Sequence, residues 1–574
     1  MKKRRRQEID PDEILIDAAN VAEFDTDQFE GRIERPLSRR SFVVAGGVFV
    51  LGALLLLLRA GDLQIVHGTA YAKQARENQL EQKVIFADRG MIEDRAGRRL
   101  AWNDRLPAQA GAGVADDLSA YQAGFASRVY AASRGIGHVL GYVKPPAKDS
   151  SGFYYRDSYV GVDGAEKAFD GLLRGENGLT LAETDARGTL VSSSAVRPPQ
   201  AGSKLTLSID AKVSEGLYDS LATHARDARA VGAAGIIMDV RTGELLALTS
   251  YPEYSPQALL GGDRATVNAY NADKRLPFLN RATDGLYAPG SIVKPLMAAA
   301  AIAEGVIDEY KQILSTGKLV VPNPYNPDQP TVFKDWRVNG WTDARRAIAV
   351  SSDVYFYQVG GGFEDQPGLG IARIDSYLKM FGFGSDAGLS GFSEAGGTIP
   401  TPEWKAATFP DDPAWRLGNT YHTAIGQYGV QVTPLQAVRM TAAIANGGTL
   451  LTPSLIASTS PRGTTLAIDA HALQVSREGM RLGVTSGIAT AINVPFVHAA
   501  AKTGTAQVGL RNESQNAWMV GFWPYENPRY AYAVVLEKMP AGTQIGGSAV
   551  MSDFFNFLEA NAPEYLSAGV AGLR

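Results

Sequence analysis

The sequence predicts an α/β chain of the α+β type: an antiparallel sheet with helices on its faces, an elongated leading segment, and one N-terminal transmembrane helix. Three observations predict it. First, Gly235-Ile236-Ile237-Met238-Asp239-Val240 and Glu244-Leu245-Leu246-Ala247-Leu248-Thr249 flank the turn Arg241-Thr242-Gly243. Near-continuous apolar runs on a short Gly turn indicate a hairpin buried on both faces. Second, residues 517–523 and 530–537 flank Pro524-Tyr525-Glu526-Asn527-Pro528-Arg529, a second hairpin near the C-terminus. Between the hairpins lie Ala- and Leu-rich helical stretches such as 292–304 and 434–446. The sheet is therefore assembled from both ends of a domain with a helical block inserted, and Phe554, Phe555 and Leu558 sit on a last helix that covers it. Third, Ser41 to Leu58 reads SFVVAGGVFVLGALLLLL, uncharged and long enough to cross a hydrocarbon core.

The membrane helix is preceded by Arg32, Arg35, Arg39 and Arg40, and further back by Lys2, Lys3, Arg4, Arg5 and Arg6. That bias predicts a cytoplasmic N-terminus and an extracytoplasmic chain after Leu58. A buried soluble helix leaves the arginines unexplained. A cleaved signal peptide lacks its small-x-small site. The twin-arginine-like Ser38-Arg39-Arg40-Ser41-Phe42 lies far from Met1. The mixed charges and few large apolar residues of 1–40 predict a disordered tail.

At 574 residues the chain is long enough for two to four domains. Its 45% hydrophobic and 20% charged residues are those of globular protein. A net charge of -4 argues against nucleic acid as the main partner. The absence of cysteine excludes disulfides and thiol nucleophiles. The six histidines are scattered without zinc-site spacing. No cofactor or metal is expected, and catalysis falls to Ser, Lys, Asp, Glu or Tyr.

The expected domains are a tail (1–40), a membrane helix (41–60), a non-catalytic pedestal (61–202) and a catalytic domain (203–574). The last boundary follows Pro-Pro-Gln-Ala-Gly at 198–202. Within the pedestal, Ala72 to Lys83 consists almost wholly of good helix formers and predicts a helix. Residues 89–97 predict a short strand and a turn. Gly164 to Gly175 predicts an amphipathic helix with Gly caps.

Three short motifs carry the chemistry. In Ser291-Ile292-Val293-Lys294, Pro289 and Gly290 break the chain and Ser291 then starts a helix. Its hydroxyl is displayed where the dipole favours developing negative charge. Lys294 at i+3 shares its face, so an unprotonated amine there can take the serine proton. Pro295 is tolerated in or just beyond the first turn. In Ser351-Ser352-Asp353, a hydroxyl beside a lysine pair can relay a proton to a leaving amine. In Lys502-Thr503-Gly504-Thr505, Gly504 lets a substrate backbone approach a strand, while Lys502, Thr503 and Thr505 offer a cation and hydroxyls for a carboxylate. Each motif alone is an ordinary cap or edge feature. Together, in this order and context, they form the signature of β-lactamases and penicillin-binding proteins.

The sequence thus resembles a class B penicillin-binding protein of the penicillin-binding protein 2 type. The resemblance extends to Asn280-Arg281-Ala282-Thr283, Gly285-Leu286-Tyr287-Ala288-Pro289-Gly290, Ile399 to Lys405, Ala424 to Gly429, and Thr433-Pro434-Leu435-Gln436. In the pedestal it rests on Arg89 to Arg95 and Gly161 to Glu166, so it covers nearly all residues after 40. It implies the penicillin-binding transpeptidase fold and a peptidoglycan D,D-transpeptidase of cell-wall elongation. It implies Ser291 as nucleophile and Lys294 as base, with Lys502 helping to keep that base unprotonated. Ser351 serves as proton relay and Asp353 orients it. Thr503, Gly504 and Thr505 bind substrate, and the Ser291 and Thr505 N–H groups form the oxyanion hole. Implied partners are stem peptides, β-lactams as inhibitors and a SEDS-family glycan polymerase, at the bacterial inner membrane. Asp353 favours the elongation type over the division type, where Asn is usual. Ala288 and Ile292 replace a usual Pro and Thr, and Asn516 stands where His is frequent. Rival readings are a division-type transpeptidase, a carboxypeptidase or β-lactamase, and a non-enzymatic β-lactam sensor or scaffold.

Overall fold

The computed structural model describes residues 39–71, 80–104, 124–151, 153–184, 190–323, 326–509 and 511–566. The chain divides into two compact units, residues 1–81 with 181–194, and residues 82–180 with 195–574. The first holds a helix over Arg39–Gly61. The run Phe42–Val66 is long and apolar enough to cross a membrane. Its 25 residues correspond to about 37 Å of helix, against a hydrocarbon core of about 30 Å. The tail predicted for 1–40 lies, up to residue 38, outside the described residues.

The helix predicted over Ala72 to Lys83 does not extend through its end. Residues 72–79 lie outside the described residues, and Leu80–Ile85 is a strand in a three-stranded sheet with Gly178–Thr184 and Leu190–Arg197. Sheet pairing overrides the helix propensity of Glu81, Gln82 and Lys83. The predicted strand and turn at 89–97 are present as Ile92–Glu93, paired antiparallel with Arg99–Asp104. The helix predicted for 164–175 is broken into Gly164–Ala168 and Asp170–Leu173 at Phe169, whose φ and ψ of −115° and 24° are not helical. The Asp170 carboxylate accepts the Gly161 N–H at 3.0 Å and pairs with Arg89 at 2.8 Å.

One buried carboxylate organises this part of the chain. Glu166 accepts Arg89 Nε at 2.6 Å and Arg128 Nε at 2.8 Å, all three residues being buried. Arg89 also donates to the Tyr159 and Glu166 carbonyls, and Arg128 to that of Gly90. Buried charges persist only when paired and hydrogen-bonded in this way.

In the remainder of the second unit, α1 (Ala211–Asp227) leads into the hairpin β1 (Gly232–Asp239) and β2 (Leu245–Tyr251). Then come α2 (Lys294–Ala303), α3 (Asp353–Gly361), α4 (Pro434–Ala445) and α5 (Ala470–Thr485). The strands β3 (Ala500–Val508), β4 (Ser514–Trp523) and β5 (Tyr530–Pro540) and the helix α6 (Gly547–Asn561) complete it. The sheet order is β2-β1-β5-β4-β3, all antiparallel, so the first hairpin joins the second through β1 and β5. Both predicted hairpins and the inserted helical block are therefore present.

Side chains alternate between two cores, as the period of two requires. Val520, Phe522, Ala531, Ala533 and Val535 face one core, which holds α2 and the wholly buried α4. Met519, Trp523, Tyr532, Val534 and Leu536 face the other, with α1 and the Phe554, Phe555 and Leu558 side chains of α6. Full burial of each such aromatic or aliphatic side chain stabilises the fold by about 1.5–3 kcal/mol. With both faces covered, β3 is left as an edge strand, and its free edge is where Lys502 to Thr505 lie.

Candidate active site

Ser291 does not begin an α-helix. It lies in a 3₁₀ turn, Gly290–Val293, and α2 starts at Lys294 with Pro295 in its first turn. Three residues per turn eclipse side chains at i and i+3, so the 3₁₀ turn sets Ser291 and Lys294 on one face. The turn is fixed from several sides. Gly290 N–H donates to the Gly426 carbonyl at 2.9 Å, and Tyr287 and Val432 exchange backbone hydrogen bonds. The buried Trp518 donates its indole N–H to the Ala288 carbonyl at 3.0 Å.

Two glycines permit this approach. Gly290 has φ of 56°, and a Cβ there would lie 2.8 Å from the Thr505 carbonyl. A Cβ on Gly504 would lie 2.9 Å from the Pro289 carbonyl and 2.8 Å from Ile292 Cγ2. Strand β3 and the serine turn thus meet backbone to backbone, which brings Ser291 beside Thr505. The Ser291 hydroxyl has no hydrogen-bond partner among the described residues.

Behind Ser291 the two lysines converge. Lys294 Nζ donates to Asp353 Oδ1 at 2.6 Å, the Ser351 carbonyl at 2.9 Å and Ser351 Oγ at 3.2 Å. Lys502 Nζ donates to Ser351 Oγ at 2.9 Å and to the Thr503 carbonyl at 2.7 Å. Lys294 is 0% exposed and Lys502 1%, so both amines have left water. Burial first, and then the charge of Lys294, hold the Lys502 amine well below the usual lysine range, with Asp353 opposing. Asp353 is in contact with Lys294, whereas Lys502 has no carboxylate in contact among the described residues.

Ser351 carries the geometry. Its backbone is left-handed, φ 57° and ψ 43°, at the end of the helix Ala344–Val350. Such a conformation costs a non-glycine residue about 1–3 kcal/mol and persists where the surroundings over-determine it. The N-cap of α3 is the next residue, Ser352, whose hydroxyl accepts the Tyr355 N–H. Asp353 opens the helix with its carboxylate on Lys294. The aromatic rings of Tyr357, Tyr421 and Phe333 pack together beside His422. Burial pushes His422 down from its ordinary value, with Asp353 opposing.

Lys294, Ser351, Asp353 and Lys502 are thus joined in one hydrogen-bonded group, and Thr503, Gly504 and Thr505 follow Lys502 along β3. Thr503 is half-buried and Thr505 exposed. Asn516 is buried, and its side-chain oxygen accepts the Lys538 N–H at 2.8 Å beside the β4–β5 bulge. It belongs to the sheet. Sequence reasoning missed Asp335, Trp336 and Trp518, which hold the site without belonging to a motif.

Residues 233–556 match the family described as the penicillin binding protein transpeptidase domain, and residues 124–207 match the penicillin-binding protein dimerisation domain. The chain belongs to the penicillin-binding protein transpeptidase family. The sheet, its covering helices and the inserted block are the transpeptidase fold of that family. The peptidoglycan D,D-transpeptidase MrdA of Escherichia coli K12 is 28% identical, over 88% of this chain and 92% of that protein. Among solved structures, penicillin-binding protein 2 of Helicobacter pylori in complex with MreC matches with a TM-score of 0.68. It is 26% identical and covers 84% of this chain and 99% of that one. A peptidoglycan synthase complex, solved for the coordination of polymerisation and crosslinking, matches with a TM-score of 0.68 at 26% identity. It covers 93% of this chain and 100% of that one.

Proposed function

We propose that this chain is a serine-type peptidoglycan D,D-transpeptidase of cell-wall elongation, acting through Ser291. The observation that carries the reading is the meeting of two buried lysine amines on one hydroxyl, Ser351 Oγ, directly behind the serine turn. Ser351 Oγ accepts from both amines and so is placed to carry protons between them, and Lys294 in its unprotonated form serves as base. Ser291 Oγ attacks the carbonyl between the last two D-alanines of a stem peptide, and Lys294 takes the hydroxyl proton. The N–H groups of Ser291 and Thr505 bind the oxyanion, each such donor contributing about 10²–10³ in rate. On collapse the C–N bond breaks, and Ser351 hands the proton to the departing D-alanine amine. Thr503 and Thr505 hold its carboxylate. An amine of a second stem then attacks the ester carbonyl, the ester C–O bond breaks, and the amine's proton passes through Lys294 to Ser291 Oγ, which forms the cross-link and restores the serine. β-Lactams acylate Ser291 by the same route.

The domain reading follows the sequence: tail (1–40), membrane helix (41–60), pedestal (61–202) and transpeptidase domain (203–574), with the N-terminus cytoplasmic and the site outside the inner membrane. The relatives solved with MreC and within a synthase complex support two partners, an MreC-type scaffold and a SEDS-family glycan polymerase. The MrdA-type relatives and Asp353 favour elongation over division. Septal bands of a tagged protein, in place of side-wall foci, would favour division.

The test is to label the purified chain with a fluorescent penicillin and map the adduct by mass spectrometry. Label on the peptide containing Ser291, and none on Ser291→Ala, is expected. Wild-type labelling of Ser291→Ala overturns the mechanism.

A further inference from the structure

Between α2 and the helix Ala344–Val350 the chain makes an excursion of paired short strands. Ile313–Ser315 pairs with Gly340–Thr342, and Lys318–Val321 with Thr331–Lys334. Asp335 and Trp336 follow directly. Asp335 is buried, and its carboxylate has no cation in contact among the described residues. It is instead surrounded by donors. Oδ2 accepts Ser315 Oγ at 2.7 Å, Ser352 Oγ at 2.9 Å and the Val354 N–H at 3.2 Å. Oδ1 accepts the Asp353 N–H at 3.1 Å and the Trp336 N–H at 2.9 Å. Burial alone would raise this carboxyl. The hydroxyls of Ser315 and Ser352 and the N–H groups of Asp353 and Val354 outweigh it and hold the group below its ordinary value. A buried anion at the first turn of α3 also suits the helix dipole. Trp336 acts on the preceding residues: its indole N–H reaches the Val350 carbonyl at 3.1 Å and the Ser351 carbonyl at 3.2 Å.

We propose that Asp335 and Trp336 are the positioning pair of the active site, an ionised carboxylate and an indole that lock the Ser351–Asp353 turn onto the two lysines. The proposal rests on the catalytic reading of Ser291, Lys294, Ser351 and Lys502 given above. Ser351 holds a conformation that its own backbone disfavours, and its hydroxyl must meet two amines at once. Trp336 and Lys294 share the Ser351 carbonyl, while Asp335 fixes the N–H groups of the next turn. Asparagine cannot replace Asp335. Its amide would turn a donor toward the N–H of either Asp353 or Val354, and neither backbone group can rotate to accept it.

The test uses the full-length chain in detergent, with stopped-flow acylation by a fluorescent penicillin between about pH 5 and 10. It compares wild type, Asp335→Asn, Trp336→Phe and Ser291→Ala. Asp335→Asn is expected to lower the limiting acylation rate constant about 10–100-fold, the scale of an ångström of misplacement. Affinity for the initial complex stays within about threefold, because the penicillin does not touch Asp335. The acid limb of the profile moves to lower pH, because a displaced Asp353 no longer favours the charged form of Lys502. The titratable groups around this turn are Lys294, Lys502, Asp353, Tyr357 and His422. Trp336→Phe keeps the ring and loses the donor, and is expected to cost about 3–10-fold. Where Asp335→Asn does not melt cooperatively, Trp336→Phe decides. A wild-type rate constant in the deciding variant, or a smaller active fraction with an unmoved acid limb, overturns the positioning role. Wild-type labelling of Ser291→Ala would overturn the underlying serine reading. An unaffected Asp335→Asn beside an unlabelled Ser291→Ala overturns this proposal alone.

Discussion

Substitution of Gly504 by alanine tests how closely the third motif is pressed against the first. The new Cβ would lie 2.8 Å from Ile292 Cγ2, 2.9 Å from the Pro289 carbonyl and 3.3 Å from the Ile292 nitrogen. Ordinary carbon contacts are about 3.5–4.0 Å, so the strand and the serine turn must separate by roughly 0.5–1 Å. Neither partner yields cheaply. Two of the three contacts on the turn side are to backbone and the third is to the buried, branched Ile292 side chain, while β3 is tied to β4 from Ala500 opposite Phe522 to Val508 opposite Ser514. Overpacking of this kind costs about 1–3 kcal/mol, which lowers Tm by about 1–5 °C in a domain of this size. The kinetic effect is larger. Drawing Thr505 away from Ser291 by up to about 1 Å spoils the oxyanion geometry and lowers acylation about 100-fold. The assay is the second-order rate constant for a fluorescent penicillin, measured beside a thermal melt. Acylation within twofold of wild type, with an unchanged Tm, would refute the backbone-to-backbone packing from which this loss is reasoned.

Ser351→Ala removes the acceptor shared by both amines and is expected to lower acylation about 10²–10⁴-fold with little change in initial penicillin affinity, measured by the same stopped-flow assay. Glu166→Ala leaves the buried Arg89 and Arg128 guanidiniums without their carboxylate. It should cost about 3–5 kcal/mol, read as a lower-temperature melt and faster proteolysis of residues 82–180. Burial pushes Glu253 up to about 7 from 4.5, although it accepts the Gly135 and Gly137 N–H groups at 2.7 and 2.9 Å. Its folded-state pKa lies above the unfolded one, so its contribution is complete below about pH 4.5 and is lost as pH rises through 7. Glu253→Gln cannot titrate, so its Tm should fall less than that of wild type between pH 5 and 7.5. Parallel Tm profiles would contradict this.

The catalytic motifs were legible because each is local: a serine with a lysine three residues on, a hydroxyl pair at a helix start, a lysine and glycine on a strand. The sheet was legible for a related reason. Strands buried on both faces, such as 232–239 and 530–536, leave unbroken apolar runs that few other structures accept. Asp335 and Trp336 were not legible. They sit in Phe333-Lys334-Asp335-Trp336-Arg337, a stretch without periodicity, and only the strand pairing of the 313–342 excursion carries them to Ser351. The break at Phe169 escaped because Asp170 turns its carboxylate to Gly161 and Arg89, which are distant in sequence or reached only by the fold. The strand at 80–85 escaped because its sheet partners lie about a hundred residues away. Which lysine meets the carboxylate was not legible either, because the Lys294–Asp353 contact joins residues 59 apart and is a property of the fold alone.

The most direct test is to trap the natural acyl-enzyme. The full-length chain is mixed with a stem pentapeptide carrying an isotopically labelled terminal D-alanine, quenched in acid, digested and examined by mass spectrometry. The account predicts that the peptide bearing Ser291 gains the mass of the stem without its last residue, with labelled D-alanine released in equal amount. Cross-linked product formed without that adduct, or formed by Ser291→Ala, would contradict it.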